Sequence, residues 1–486
     1  MKYVVTAEEM RQYDKNTIEK IGLPGMVLME RAAIAAFELV WMRKPENVLI
    51  IAGIGNNGGD GLALARLLSE RGIQTCVWCV GDKDRASEQW KQQYEILQNY
   101  PVNFCNEAPP KEYSIVVDAL FGVGLSRDIT GLYENAVNYM NESRAFKLSL
   151  DVPSGICSDT GNVLGCAVKA DCTVTFGFLK RGMLLYPGCE YAGEIHVADI
   201  GIGNASFLGK EPEMFCYEET AEELLPERNS SGNKGTFGKL LLIAGSVNMA
   251  GAAILAAKSA YRVGAGMVKI LSPKENREII QKTIPDAMYG TYEDLEASLA
   301  WADVLAVGPG LSKSPEAKAV LVRAISDSNL PLVLDADALN LLADDEQLKE
   351  QLSEQGKAGR AIILTPHMGE LSRLLSVPVA GLKEAPWEFG IKLAKQLRST
   401  VVVKDARSFT CKDGYPVCIN TKGNSGMAVA GSGDVLCGVI AGLLAQKADC
   451  FIAASVGVYL HAMTGDKVAL TRGAHGMMAS DIADSL

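Results

Sequence analysis

Continuously apolar runs recur along this chain, each ending in a loop rich in glycine or aspartate and leading into an amphipathic helix, and this alternation restricts the folds open to it. In the first part VLIIAGIG precedes the helical LALARLLSERG, and QTCVWCVG, a helix around Trp90 to Leu97, SIVVDALFG, FKLSLDVPSG and CTVTFGF follow. Strands that are apolar on both faces belong in a parallel sheet covered by helices on both sides. Between about residues 204 and 235 the pattern lapses into a polar, acidic stretch holding Pro212 and Pro226, as at a domain junction. The alternation then restarts with KLLLIAGS, the helix GAAILAAKSAYRVGAG, MVKIL, DVLAVGPG, PLVLDAD, AIILTP and TVVVKD, and SFTCKDGYPVCI reads as a hairpin turning at Asp413-Gly414. The expectation is α/β: two doubly wound domains, residues 1–212 and 213–486, each long enough to bury its own core.

The 47 basic and 58 acidic residues leave a net charge of −11, so no global field draws a nucleic-acid backbone to the surface, and any bound nucleotide is expected to be held by local groups. No apolar run approaches the roughly 18 residues of a membrane-spanning helix. The N-terminus MKYVVTAEEM lacks the apolar stretch and cleavage site of a secretory signal. A cytoplasmic protein with no nucleic-acid or membrane partner is expected, and the 12 cysteines, many within apolar runs as at Cys172 and Cys437, then read as reduced core residues. Alternation along TCVWCV sends Cys76 and Cys79 to opposite faces, which argues against a redox or zinc pair. The 48 glycines, about a tenth of the chain against a usual ~7%, cluster in the loops that follow apolar runs.

In the first domain VLIIAG runs into Gly53-Ile54-Gly55-Asn56-Asn57-Gly58-Gly59-Asp60-Gly61. This contains a formal G-x-G-x-x-G, the pattern that seats a pyrophosphate on a helix N-terminus. Asp60 would set negative charge beside that pyrophosphate, and the asparagine carbonyls suit a hard cation or a sugar hydroxyl better. A tight strand-to-helix turn whose glycines permit positive φ is the other reading. Asp118 ends the run IVVD and Asp151 the run LSLD. Ligands of open parallel sheets bind beyond the carboxyl ends of the strands, so Asn57, Asp118 and Asp151 can converge from three loops, although each singly is also a common cap or turn former.

In the second domain Asn424-Ser425-Gly426-Met427-Ala428-Val429-Ala430-Gly431-Ser432-Gly433-Asp434 opens the helix VLCGVIAGLLA. Small residues let the backbone approach an anion, and the helix start favours negative charge. Asp434 lies where a carboxylate could take the proton of a hydroxyl attacking a phosphate. A helix cap is the alternative, but a cap does not call for the G-S-G. There is no G-x-x-x-x-G-K-[ST], which excludes a P-loop NTPase. Gly308-Pro309-Gly310, Asp335-Ala336-Asp337, Thr365-Pro366-His367 and Lys404-Asp405-Ala406-Arg407-Ser408 end further strands at the same edge. His367 there is either a ligand contact or a structural hydrogen bonder, and the Lys404 to Ser408 loop either meets a phosphate or adenine nucleotide or is a solvated turn. His196 is expected on a strand surface and His461 on a helix, and no histidine pair has zinc-ligand spacing.

Taken together and in this order, GNNGGDG, VVDALFG, LDVPSG and LKRGMLLYPG, then MAGAAILAAKSAYRVGAG, VGPGL, LDADALN, TPHMGE, VVVKDA and NSGMAVAGSGDVL, resemble the bifunctional NAD(P)H-hydrate repair enzymes. In that family an NAD(P)HX epimerase domain precedes an ADP-dependent NAD(P)HX dehydratase domain, and the resemblance covers essentially the whole chain. It implies a Rossmann-like first domain and a ribokinase-like second. Asn56, Asn57, Gly58, Gly59 and Asp60, with the loop of Gly122, Val123, Gly124, Leu125, Ser126, Arg127 and Asp128, would contact the hydrated nicotinamide nucleotide. Asp151 would be catalytic beside the epimerising carbon, and Asn57, Asp118 and Ser154 would hold a potassium ion. In the second domain Ala253, Gly310, His367 and Asp434 would line the hydrate site, while Lys404, Asp405, Ala406, Arg407, Ser408 and Gly433 would hold ADP, with magnesium.

The implied activity is metabolite repair: R- and S-NAD(P)HX are interconverted, and the S form is dehydrated at the expense of ADP to NAD(P)H, AMP and phosphate, by a homo-oligomer. Asp434 would be the base when ADP phosphorylates the C6 hydroxyl. One motif departs from the family: His367-Met368-Gly369-Glu370 stands where histidine-proline-glycine-glutamate is usual, which is expected to loosen the loop without removing a functional group. Two other readings compete. A small-molecule kinase with an accessory domain would leave a stable phosphorylated product. A first domain serving only as a nucleotide-binding scaffold would have no need of Asp118 and Asp151 in its crevice.

Overall fold

The apolar runs are strands, and their helices cover both faces. In the computed structural model, which describes residues 1–486 apart from 111, 219–222 and 229, the chain divides into a unit Lys2–Glu213 and a unit of Met214–Leu486 with Met1. Part of the stretch expected as a junction, residues 219–222 and 229, lies outside the described residues.

The N-terminal unit holds β1 (Lys2–Val5), β2 (Asn47–Ala52), β3 (Gln74–Cys79), β4 (Asn103–Cys105), β5 (Ile115–Ala119), β6 (Phe146–Leu150), β7 (Cys172–Phe176), β8 (Leu179–Lys180) and β9 (Glu194–Ala198). Seven of them form an all-parallel sheet in the order β4-β3-β2-β5-β6-β7-β9, and β1 pairs in parallel with β8. Ile50, Val77 and Val117 join one apolar cluster with the helices Gly25–Met42 and Asn56–Glu70, while Leu49, Ile51, Trp78 and Val116 join another with the helix Leu132–Glu142. Cys76 and Cys79 fall in opposite clusters, as alternation predicts, and no cysteine among the described residues is in a disulfide. Strand order reverses between β2 and β5, which opens the crevice in which such sheets bind ligands.

The C-terminal unit contributes β10 (Met214–Cys216), β11 (Lys239–Ile243), β12 (Met267–Leu271), β13 (Met288–Gly290), β14 (Val304–Val307), β15 (Leu332–Leu334), β16 (Ile362–Leu364), β17 (Thr400–Val403), β18 (Phe409–Lys412) and β19 (Val417–Ile419). Their order is β13-β12-β11-β14-β15-β16-β17-β18-β19-β10, parallel from β13 to β17. The hairpin turning at Asp413-Gly414 makes β18 and β19 antiparallel, with Gly414 at φ 76°. The strand β10 lies within the stretch read as a linker; three residues beside acidic neighbours carry too little periodicity to declare themselves. Here the order reverses between β11 and β14. Among the described residues no helix is long and apolar enough to cross a membrane.

The helix Ser432–Ala445, which carries the G-S-G-D turn, is buried along most of its length against the alanine-rich helix Ala250–Arg262. A Cβ at Gly438 would sit 2.0 Å from the Ala256 carbonyl oxygen, so the approach of these helices depends on that glycine. Gly438→Ala is expected to lower stability by about 1–3 kcal/mol through overpacking. Gly251→Ala, where an added methyl meets nothing within 4 Å, is expected to be neutral or to stabilise by up to about 1 kcal/mol. Urea unfolding of the two variants checks both signs.

Candidate functional sites

In the N-terminal unit the helix Asn56–Glu70 starts three residues beyond β2. Its glycines serve close approach rather than positive φ: a Cβ at Gly58 would lie 1.9 Å from the Gly53 carbonyl oxygen, and one at Gly53 would lie 2.2 Å from that of Leu120. Gly59 is buried against Met29 and Trp90. The turn therefore presses the helix onto the sheet and brings Asn56, Asn57 and Asp60 to a cavity of about 590 Å³. Gly122, Val123, Gly124, Leu125 and Arg127 line the same cavity, together with Asp151. Gly58, Gly59, Ser126 and Asp128 do not line it, and Asp118 and Ser154 are almost fully buried outside its lining.

Asp118 accepts four hydrogen bonds: from Leu120 N (3.3 Å) and Ser154 Oγ (2.6 Å) on Oδ1, and from Ser149 Oγ and Ser154 N (both 2.8 Å) on Oδ2. Burial pushes its carboxyl above the usual range, and these bonds pull the other way. Among the described residues it has no cationic partner. Asn57 is buried with neither Oδ1 nor Nδ2 partnered. A monovalent cation fits this set in part. Asn57 offers a free carbonyl and Asp118 an unneutralised charge, but the four acceptor directions of Asp118 are taken, so its contribution is charge and the orientation of Ser154.

Asp151 follows β6 in a left-handed conformation (φ 67°). Its Oδ2 accepts the Val123 N–H at 3.2 Å, and its Oδ1 lies 2.6 Å from Lys180 Nζ. Lys180 is fully buried and also donates to Thr175 Oγ1 (2.9 Å) and Phe176 O (2.7 Å). Burial pushes its ammonium down, and Asp151 opposes that. Lys180 and Asp14, which both line the cavity, were not singled out from the sequence. Lys180 sits among apolar residues in FLKRGMLL, and Asp14 lies on an ordinary amphipathic helix with no motif around it.

In the C-terminal unit the ends of β15, β16 and β17 meet the start of the helix Ser432–Ala445. Lys404 Nζ lies 2.6 Å from Asp335 Oδ1, which also accepts Thr365 Oγ1 at 2.7 Å. Lys404 thus turns inward to an ion pair and differs from the exposed Asp405 and Ala406 that follow it. Arg407 donates to Thr421 O (2.9 Å) and Ser408 Oγ to Asp405 O (3.3 Å). Gly308 (φ 131°) lets the loop after β14 pass close to Asp335, and Gly310 (φ 59°) lets it pass close to Ala252. Ala253 is fully buried and packs beside Gly245 rather than facing solvent.

The helix that follows Gly431 (φ 93°) has no side-chain cap; Ser432 N donates to Val429 O at 3.3 Å, and the N–H groups of Gly433 and Asp434 are left for a ligand. Asp434, in its first turn, is pushed up to about 7 by burial and by Asp335, with Lys404 opposing. Glu370 is pushed up to about 7 chiefly by burial. His367 caps the helix Met368–Leu375: Nδ1 accepts Gly369 N at 2.9 Å, and Glu370 Oε2 accepts His367 N at 2.8 Å. This capping box satisfies the start of the helix, in whose first position Met368 stands, where a proline would fit. Burial, Lys404 and Arg373 lower His367, so it is neutral at pH 7. His461 is buried, is held to about 4 by burial, and has Nε2 3.4 Å from Ser432 Oγ. Asp335 ends a strand read from the sequence at this edge and Ser432 lies in the G-S-G turn, neither with a role of its own there, while Glu370 and His461 belong to this site by position alone. Among the described residues no cluster of three His, Cys, Asp or Glu side chains could hold a metal unaided. A divalent ion fits here through one or two of these carboxylates together with a nucleotide's phosphates.

Residues 240–486 match the NAD(P)H-hydrate dehydratase family and residues 25–182 match the family described as the YjeF-related protein N-terminus. The bifunctional NAD(P)H-hydrate repair enzyme Nnr of Moorella thermoacetica is 35% identical over 513 residues, which cover 100% of this chain and 96% of that protein. The enzyme of the same name from Escherichia coli is 32% identical over 99% of this chain and 92% of its own length. The crystal structure of a ribokinase-like superfamily protein of Enterococcus faecalis is 28% identical and superposes with a TM-score of 0.50, covering 56% of this chain and 94% of its own. With its two α/β units, its two crevices at the carboxyl ends of the strands and full-length similarity to these relatives, the chain belongs to the bifunctional NAD(P)H-hydrate repair enzymes.

Proposed function

We propose that the N-terminal unit interconverts R- and S-NAD(P)HX and that the C-terminal unit dehydrates S-NAD(P)HX at the expense of ADP, yielding NAD(P)H, AMP and phosphate. The observation that carries the second half is Asp434, a carboxyl poised near neutrality beside an uncapped helix N-terminus. Its carboxylate takes the proton of the C6 hydroxyl while that oxygen attacks the β-phosphorus of ADP and AMP departs. The first N–H groups of the helix Ser432–Ala445 receive the charge that builds on the transferring phosphoryl group. The C6–O bond then breaks with its electron pair on phosphate, and loss of the C5 proton restores the dihydronicotinamide. His367 and Gly310 border the hydrate, and Gly433 with the loop Lys404 to Ser408 borders the nucleotide. Carboxylates among Asp335, Asp434 and Glu370 would hold magnesium with the nucleotide phosphates, and the ion when bound supplies positive charge against them.

In the first unit Asp151, presented by a left-handed turn and fixed by Lys180 and Val123, is the proton acceptor at the epimerising carbon. Asn57, with Asp118 and Ser154, would hold potassium, whose positive charge offsets the buried Asp118 carboxylate. Catalysis in the cytoplasm and a homo-oligomeric state belong to this reading as well, and gel filtration with light scattering tests the latter.

Asp434→Asn is expected to abolish the ADP-dependent recovery of 340 nm absorbance from S-NAD(P)HX, a loss of about 10²- to 10⁴-fold. Because the base must be unprotonated, kcat/KM for the S hydrate is expected to fall as pH drops through about 7. Near-normal turnover by the variant contradicts the role. Asp151→Asn is expected to leave R-NAD(P)HX unconsumed while S-NAD(P)HX disappears at the original rate. Consumption of both epimers as in the parent enzyme would make Asp151 structural.

A further inference from the structure

Three carboxylates, Asp14, Asp60 and Asp151, line the N-terminal cavity with a single buried ammonium, Lys180. The three protons of Lys180 go to Asp151 Oδ1, Thr175 Oγ1 and Phe176 O, so it serves Asp151 and has no donor left for the others. Among the described residues neither Asp60 nor Asp14 has a side-chain hydrogen bond or ion pair. The charged groups that face Asp60 are Asp14 and Arg11 from the helix Ala7–Asn16, Asp151 from the end of β6, Lys180 from the end of β8, and Arg127 from the loop after β5. Arg11 and Arg127 are exposed. Two unpaired carboxylates beside a third in one walled cavity cannot all ionise without cost, and a carboxyl that lacks a cationic partner there keeps its proton. Burial, reinforced by Asp151 and Asp14, pushes the Asp60 carboxyl well above the usual range, and Lys180 opposes this only in part. Asp14 is raised less far, by burial and Asp151.

We propose that Asp60 is the proton donor to the C6 hydroxyl, and that the epimers interconvert by loss and return of that oxygen as water. This rests on the reading of the N-terminal unit as the epimerase. Two groups of unlike protonation flanking one pocket are an acid and a base. The Asp60 proton passes to the hydroxyl oxygen. The C6–O bond breaks with its electron pair on the departing water, and the ring-nitrogen lone pair forms the C6=N1 bond of a cationic ring. Water adds to the opposite face, its oxygen forms the new C6–O bond and its proton passes to Asp151. Transfer of a proton from Asp151 back to Asp60 resets the pair, with no oxidant or reductant consumed. A cavity with three carboxylates against one buried ammonium favours the cationic ring. Opening of the N1–C6 bond to a neutral aldehyde would gain nothing from that charge, and it would keep the original oxygen.

The test uses the full chain without ADP, purified R-NAD(P)HX and water enriched in 18O, with mass spectrometry of the S hydrate formed. The expected result is one 18O per epimerisation, above an enzyme-free control. Asp60→Asn should slow the interconversion by about 10²-fold or more and abolish the fall in rate at alkaline pH. Asp14→Asn, which removes a negative neighbour of Asp60, should move that alkaline limb to lower pH. ADP-dependent dehydration of S-NAD(P)HX by the same variants reports an intact chain. Retention of 16O in the product overturns the proposal, as does an Asp60→Asn enzyme with a raised KM and an unchanged alkaline limb. A parent enzyme that converts the R form no faster than buffer overturns the epimerase reading itself, a result distinguishable from either.

Discussion

Each unit is organised around one inward-turned lysine that pairs at 2.6 Å with an aspartate just beyond a strand end: the fully buried Lys180 with Asp151, and the partly buried Lys404 with Asp335. Taking an ammonium and a carboxylate out of water is expensive, and removing one partner typically costs 3–5 kcal/mol or so because the other is stranded. The pair therefore fixes loop positions as firmly as the core does. Lys180 ties the end of β8 to the turn after β6 and to β7, and Lys404 ties the end of β17 to the loops after β15 and β16. In both crevices the lysine is outnumbered by carboxyl groups. Those not ion-paired with it, Asp60 in one and Asp434 and Glu370 in the other, are pushed up by burial and by their like-charged neighbours, which the lysine opposes only in part. Carboxyl groups that hold their protons above the usual carboxylate range follow from that imbalance.

The same imbalance shows how a chain of net charge −11 can serve a family that handles nucleotides. Neither crevice offers a field of free cations. The C-terminal one offers backbone N–H groups at an uncapped helix start, reached because Gly438 lets that helix settle against its alanine-rich neighbour. The N-terminal one offers a glycine turn pressed against the sheet and an asparagine with both polar atoms unpaired.

Much of this was legible in the sequence because parallel strands buried on both faces are continuously apolar, and because strand-end acids stand out against such runs. Asp118 and Asp151 could be read in this way, and Asp434 from the G-S-G turn before its helix. What could not be read depends on distant pairing. Lys180 is buried because β8 lies beside β1, some 170 residues earlier in the chain, and no local pattern reports that. Asp14 reaches the cavity from an exposed-looking helix, and Glu370 becomes an inward group only through the capping box with His367. The glycines of GNNGGDG were legible as necessary, but the reason is a carbonyl 1.9 Å from the missing Cβ rather than a positive φ.

We propose that the two crevices carry separate halves of one repair, each with its own aspartate. It is tested most directly by mixing the Asp151→Asn and Asp434→Asn proteins, each assayed alone as well, and following R- and S-NAD(P)HX by chromatography with ADP present. The mixture is expected to clear both epimers to NAD(P)H although neither protein does so alone, because the epimer made by one chain is dehydrated by the other. Persistence of the R form in the mixture at the level left by Asp151→Asn alone would contradict it.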